Sequence, residues 1–176
     1  MSHSREIMTS SERQDWATPP ALFEQLNREF HFTLDVAAVA ESAKCRRWYG
    51  PGSPIRVDAL SPEPWGGGQV AFINPPYGVG LDKWIARCHE EAQRGTTVVA
   101  LIYARTETAF FHDHVMHADE VRLLRGRVTF LDPDTMEPRR SKKTGAVQSS
   151  TAPSVVVIWR ARGHGPPRFV GMEQEK

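Results

Sequence analysis

Cysteine is nearly absent. Cys45 and Cys88 are too few and too widely separated for a disulfide framework or a four-thiolate metal site, so both are expected as free thiols in packing positions. Long apolar runs are missing as well. The longest, Val98 to Tyr103 and Val155 to Trp159, fall far short of the roughly 20 residues that cross a bilayer, so no membrane span is expected. Met1 to Arg13 is polar and lacks the apolar centre of a secretory signal, which makes a cytoplasmic setting the expectation. Net charge is also small: 22 Lys and Arg against 21 Asp and Glu leave +1. Any attraction to nucleic acid must then come from a local patch.

What remains is the composition of one folded domain. Apolar residues make up 40% and charged residues 24% of 176 positions, enough for one core and too little chain for two ordinary ones. Residues 1–14 show no apolar periodicity and are expected as a flexible tail. Thr18-Pro19-Pro20 has the form of a helix start, with Thr18 as N-cap. Leu22, Phe23, Leu26 and Phe30 then give one apolar helical face, predicting a helix from about Pro20 to Phe30. Phe32 to Val36 is expected as a buried strand that stops near Asp35, and Arg47 to Tyr49 as a short strand between loops. Val57 to Leu60 reads as a further strand end. Val70 to Ile73 fits a central strand, Leu81 to Ala92 a helix that Gly95 stops, and Thr97 to Tyr103 the next strand.

Beyond it, a helix over Thr108 to His117 and strands over Glu120 to Leu124, Arg127 to Leu131 and Ser154 to Arg160 complete the expected elements. Residues 132–152 are polar and basic, and are expected as a long mobile loop; residues 163–176 are expected as a C-terminal tail. Alternating strands and helices predict a Rossmann-like α/β fold, a mainly parallel sheet with helices on both faces and antiparallel additions near the C-terminus. Ligands of such sheets bind beyond the carboxyl ends of the strands, where Asp35, Asp58 and Asn74 all fall.

The most informative segment is Asn74-Pro75-Pro76-Tyr77, at the end of a strand and before a helix. An exocyclic amine such as N6 of adenine is a poor nucleophile because its lone pair is delocalised into the ring. The Asn74 amide oxygen and the Pro75 carbonyl could each accept one of its N–H groups and favour the tetrahedral nitrogen that develops during attack. Pro75 and Pro76 stiffen the corner. Tyr77 offers a flat face on which a base can stack. Held in line with the methyl group of a sulfonium donor, such an amine can react directly, without a covalent protein intermediate. Neither cysteine lies in a Pro-Cys loop of the kind that ring-carbon cytosine methylation needs.

From Asp15 to Trp159 the sequence resembles the Dam-like phage DNA N6-adenine methyltransferases. The resemblance rests on Asp15-Trp16-Ala17-Thr18-Pro19, Leu34-Asp35-Val36-Ala37-Ala38, Ala43-Lys44-Cys45, Asp58-Ala59-Leu60, Asn74 to Tyr77 and Gly126-Arg127-Val128-Thr129-Phe130. It implies a methyltransferase domain over 15–162, with S-adenosyl-L-methionine as cofactor and DNA as partner, either a duplex with a flipped adenine or a single strand. It further implies Asn74, Pro75, Pro76 and Tyr77 as catalytic residues, and Trp16, Thr18, Pro19, Asp35, Ala37, Asp58 and Asn74 around the cofactor. Asp35 would sit beside the methionine moiety and Asp58 near the adenosine. Two departures stand out: Ala37-Ala38 replaces the glycine-rich loop usual in the wider superfamily, and Ser42 stands where the family pattern has Asn.

A buried target base must leave the stack, so the DNA backbone needs holding. Arg139, Arg140, Lys142 and Lys143 cluster in the basic loop, and Arg46 and Arg47 form a second group. His112, His114, His117 and Asp113 lack a third well-spaced ligand, so a polar helix face and no metal is the expectation. The rival readings are methylation of cytosine N4 or a protein glutamine amide, or an inactive DNA-binding relative. Asn74 disfavours cytosine, whose enzymes more often carry Ser there. The glutamine enzymes usually have a glycine-rich cofactor loop and an added helical domain.

Overall fold

A computed structural model describes residues 16–78, 80–141 and 143–175. The expected tail at 1–14 lies outside them. The elements run α1 (Pro20–Phe30), β1 (Leu34–Asp35), β2 (Val70–Ile73), α2 (Leu81–Gln93), β3 (Thr97–Tyr103), α3 (Ala109–Asp113), a 3-10 turn (Val115–His117), β4 (Glu120–Leu124), β5 (Ser154–Trp159) and β6 (Arg168–Met172).

Helix α1 begins where a proline costs least, with Pro20 in its first turn. The N-cap is Pro19 and makes no side-chain cap bond, so Thr18 is not the cap that its residue type suggested. Leu22, Phe23, Leu26 and Phe30 are all buried, as their spacing requires. At the far end His31 takes the left-handed conformation at φ 53° and the Asn27 side chain accepts the Phe32 N–H, which closes the helix and turns the chain into β1.

The six strands form one sheet in the order β1-β2-β3-β5-β4-β6. Strands β1, β2 and β3 are mutually parallel, β5 is antiparallel to both β3 and β4, and β6 is parallel to β4. The sheet is therefore mixed, with three parallel and two antiparallel pairings, and its antiparallel strand, β5, lies near the C-terminus where antiparallel additions were expected. The reason is topological. Helix α3 carries the chain across so that β4 runs the same way as β3 with one place left open between them. The chain leaves β4 at the rim where β1 to β3 also end, returns from that same rim, and can fill the place only by running in the opposite direction. The basic stretch 132–152 is thereby fixed to the edge that carries Asn74.

Alternation along the central strands divides the core. Val98, Ala100 and Ile102 face α2 together with Ile73, Val155 and Val157, while Val99 and Leu101 face α1 with Phe72, Val156 and Ile158. Helices thus cover both faces. Cys88 is buried and Cys45 half-buried, both as free thiols.

Several expected elements take other forms. Arg47 to Tyr49 contributes only isolated bridges, Trp48 to Asp35 and Tyr49 to Arg56, because the surrounding glycines and prolines leave no room for a ladder. Val57 to Leu60 is turn structure built on the Asp58 side chain, which accepts the Leu60 N–H at 2.8 Å. Arg127 to Leu131 forms no strand: Leu131 bridges Ala17 and Pro138, and the Val128 carbonyl accepts the Ser150 N–H at 2.7 Å. The helix expected over Thr108 to His117 breaks at His114 into α3 and the 3-10 turn. The described residues of 132–152 hold no helix or strand, with an Arg140 to Val147 bridge inside them. The stretch 163–176 contains β6, paired along β4, so it adds an edge strand where only a tail was foreseen.

Candidate active site

The irregular chain between β1 and β2 needs anchors, and a buried acid supplies them. Glu91 on α2 is fully buried; it accepts the Trp65 N–H at 2.8 Å and pairs with Arg87 and Arg94, each at 3.0 Å. The Trp65 indole N–H donates to the Ala59 carbonyl at 2.8 Å. Residues 57–59 are thereby held as the outer wall of a cleft at the carboxyl end of β1 and β2.

That cleft encloses about 180 Å³ and its walls include Trp16, Ala37, Gly50, Asp58, Asn74 and Trp84. Its lining is largely apolar, with Val39, Val57, Pro51, Pro76 and Pro133 contributing. A narrow extension leads from it to Thr18, Asp35, Ser42 and Lys44, with Trp16, Ala37 and Asn74 shared between the two spaces. Of the residues expected around a cofactor, Trp16, Ala37, Asp58 and Asn74 line the cleft, and Thr18 and Asp35 line its extension. Pro19 does not: it faces a separate depression beside Leu22 and Gly126, because it has turned away to start α1.

Glycine is used in an unforeseen place. Ala37-Ala38 follows β1 without a glycine, yet the close approach is made from the other side. Gly50 has φ 142°, and a Cβ there would lie 2.0 Å from the Ala38 carbonyl oxygen. Gly50, Trp84 and Val57 were not recognised from sequence. A Gly-Pro pair at 50–51 was a readable signal for a tight turn, but nothing local tied it to the loop after β1.

Asp35 is almost fully buried, at 3% exposure. Its carboxylate accepts backbone N–H groups from Lys44 at 3.0 Å and, at 3.4 Å, from Ala37. Burial nevertheless pushes its pKa up to about 6, against the pull of those two donors and of the Lys44 ammonium. The same desolvation lowers the Lys44 pKa. A carboxylate so placed gains from any cation that enters the extension.

Asn74 is fixed by a contact on one side only. Its amide N–H donates to the backbone carbonyl of Trp16, which assigns the two ends of the amide, since a carbonyl can only accept. The other end, Oδ1, is buried and has no hydrogen-bond partner among the described residues; Thr18 Oγ1 is in the same condition. A hydroxyl in the extension and an amide oxygen shared with the cleft are thus both buried and without partners among the described residues.

Tyr77 lies differently from expectation. Its ring is buried in the second core cluster, its hydroxyl donates to the Leu101 carbonyl at 3.1 Å, and it stacks on Tyr103 with centroids 4.0 Å apart. The ring buries its apolar area and satisfies its hydroxyl at once, so in this structure Tyr103, half-exposed, is the outer ring. Pro75 is buried and Pro76 exposed on the cleft wall.

The chain belongs to the DNA N-6-adenine-methyltransferase (Dam) family. The match covers residues 6–170, nearly the whole chain and all of the cleft. No curated protein matches it. As a member of this family the chain is placed among enzymes that methylate adenine in DNA.

The remaining expected residues of this Dam-family chain fall at the surface. Arg46, Arg47, Arg140 and Lys143 are exposed, and Arg139 is half-buried with its guanidinium 5.3 Å from the centre of the Trp16 indole ring. Arg140 curls back to the Gly145 carbonyl at 3.1 Å. Lys142 lies outside the described residues. His89, which the sequence reading did not single out, joins His114 and His117: its Nδ1 is 3.3 Å from Nδ1 of His114 and its ring stacks on His117. Among the described residues no group of three or more side chains is placed to hold a metal ion, and no helix is long and apolar enough to cross a membrane.

Proposed function

We propose that the protein transfers a methyl group from S-adenosyl-L-methionine to N6 of adenine in DNA, by direct in-line attack of the amine at the Asn74 corner. The observation that carries this reading is the Asn74 amide, held by the Trp16 carbonyl with its Oδ1 buried and unpartnered between a largely apolar cleft and an acidic extension.

The residues present suit the donor's chemistry. A donor of this kind has a flat purine, a charged sulfonium and an amino-acid end. The apolar walls at Val57, Pro51 and Trp84 suit the purine, the exposed Asp58 the ribose, and buried Asp35 the ammonium. Bound there, the donor supplies an electrophilic methyl carbon whose bond to sulfur breaks as the new bond to nitrogen forms.

The protein's part is positioning and electrostatics. Asn74 Oδ1 accepts one N–H of the amine, and the Pro75 carbonyl is the second acceptor. Together they stabilise positive charge on nitrogen as its lone pair is drawn out of the ring. The prolines keep both acceptors from relaxing away. The amine proton left in excess after transfer is lost to solvent. Arg46, Arg47, Arg140, Lys142 and Lys143 are the cations that hold the DNA backbone.

The test is incubation of the protein with DNA and S-adenosyl-L-methionine labelled in the methyl group, followed by digestion to nucleosides and mass spectrometry. Labelled N6-methyladenine is expected. Label on cytosine, or none on DNA while the protein remains folded, would overturn the reading.

A further inference from the structure

We infer that Arg139 is a placeholder: in the DNA-free protein its guanidinium stands on Trp16 where the extruded target base stacks, and the base displaces it. This rests on the reading of DNA as substrate.

Beside the Asn74 corner lies a recess walled by Trp16, Tyr103, Phe130, Arg139, Gln148 and Ser149. It is joined to the reaction centre through its walls. The Trp16 carbonyl holds Asn74, and Tyr103 and Phe130 both contact the Tyr77 ring, with centroids 4.0 and 5.6 Å away. Aromatic faces meeting at an angle, with an amide and a hydroxyl at the edge, are what a flat heteroaromatic ring with hydrogen-bonding edges needs.

The recess as it stands holds only about 50 Å³, room for a few water molecules and not for a purine. What fills it is Arg139. Guanidinium and purine are both planar and both stack on indole, so one can replace the other on the Trp16 face. The contact is also easy to release. Arg139 lies in a stretch without helix or strand, and among the described residues no carboxylate pairs with it. Its backbone stays tied while the side chain swings, because its carbonyl accepts the Gln148 N–H at 2.7 Å.

The probe is a short oligothymidine strand carrying one 2-aminopurine, whose fluorescence is quenched on stacking, titrated into the full chain. An adenine-like base on a single strand needs no extrusion, so binding reports the recess itself. Arg139→Ala, with an unchanged melting temperature, is expected to quench the probe at about two- to fivefold lower concentration than wild type, the range that one released cation–π contact corresponds to. Trp16→Leu, which keeps the backbone carbonyl that holds Asn74, is expected to abolish the quenching while the strand still binds. Arg140→Ala is expected to weaken binding and lower its salt dependence. Unchanged or weaker probe binding in Arg139→Ala would overturn the placeholder and leave a plain phosphate contact. Methylation is assayed in parallel: labelled adenine with no gain in Arg139→Ala sinks only this inference, whereas the expected quenching without labelled adenine sinks only the reading of function.

Discussion

Asp35 makes the stability of this protein depend on pH in an unusual sense. Most of its perturbed carboxylates are held below their ordinary range. Glu29 is lowered by its bonds to Arg122, and Glu120 is lowered by Arg168 and Arg122 against its own desolvation. Such groups stabilise the fold above their unfolded pKa, and that contribution is lost as pH falls. Asp35 does the opposite. Its pKa is raised from 3.8 to about 6, so between those values the folded state binds a proton that the unfolded state does not. Stability from this group therefore falls as pH rises from about 4 to 6, and is flat above. Linkage over that span gives about 2 kcal/mol between pH 4.5 and pH 7, and about 3 kcal/mol in the limit of low pH.

The replacement Asp35→Asn removes the titration and keeps the shape. It also swaps one acceptor for a donor facing a backbone N–H, either of Lys44 or of Ala37, a constant offset of about 1–3 kcal/mol at every pH. The measurement is urea unfolding of both proteins from pH 4.5 to 7.5, plotted as wild type minus variant. That subtraction cancels Glu29 and Glu120, and the constant offset drops out of its change with pH. The difference is expected to rise by about 2 kcal/mol as pH falls from 7 to 4.5, equivalent to about 4–8 °C in melting temperature. A flat difference, or one of opposite sign, would show that Asp35 is not desolvated and that the extension is open to water. The same titration predicts that donor affinity rises with pH through about 6 in wild type and not in the variant, since only the ionised carboxylate attracts an ammonium.

Three further outcomes are expected. Asn74→Ala should lower methyl transfer by about 10²–10³-fold with the protein folded, because a preorganised acceptor acts mainly in the transition state; single-turnover transfer and circular dichroism check both halves. Gly50→Ala should destabilise by more than about 2 kcal/mol, its Cβ being driven into the Ala38 carbonyl, whereas Gly52→Ala, also at positive φ but with open space, should lose only about 1 kcal/mol by thermal unfolding. Tyr77→Phe should lose about 1 kcal/mol of stability with the bond to the Leu101 carbonyl and keep methyl transfer; a large loss of rate at unchanged stability would put the hydroxyl in the reaction instead.

The elements that were legible in the sequence are those whose burial is local. The face Leu22, Phe23, Leu26 and Phe30 defined α1, the β-branched run at Thr97 to Tyr103 defined β3, and Gly95 ended α2, as each does in the structure. The position of Asn74 at the carboxyl end of β2 was legible for the same reason. What was not legible depends on contacts between distant segments. The place between β3 and β4 is filled by β5, which comes from 30 residues later in the chain than β4, and no local pattern states the direction in which it returns. Arg168 to Met172 lacks a buried face and becomes strand β6 only because β4 offers a free edge. Tyr77 was misplaced because residue type says that a ring wants burial and a partner for its hydroxyl, but not whether core or ligand supplies them. Gly50 and Trp84 carry no motif of their own and reach the cleft through the anchoring of residues 57–65 on Glu91.

Trp16 explains why the site is held by more than the sheet. Strand β2 delivers Asn74 to the rim, but the orientation of its amide comes from the Trp16 carbonyl, which belongs to a segment outside the sheet. That segment is fixed by Ala17, which exchanges two backbone bonds of 2.9 Å with Leu131, at the start of the basic stretch. Trp16 lines the cleft, its extension and the recess beside Arg139. In the proposed function, donor, amine acceptor and DNA-facing loop therefore meet on one residue. If the donor fills the cleft and a base displaces Arg139, as proposed, both events act on the same short segment, and titration of the donor with and without DNA measures any coupling through Trp16. By reciprocity, whatever factor DNA adds to donor affinity, the donor adds to DNA affinity.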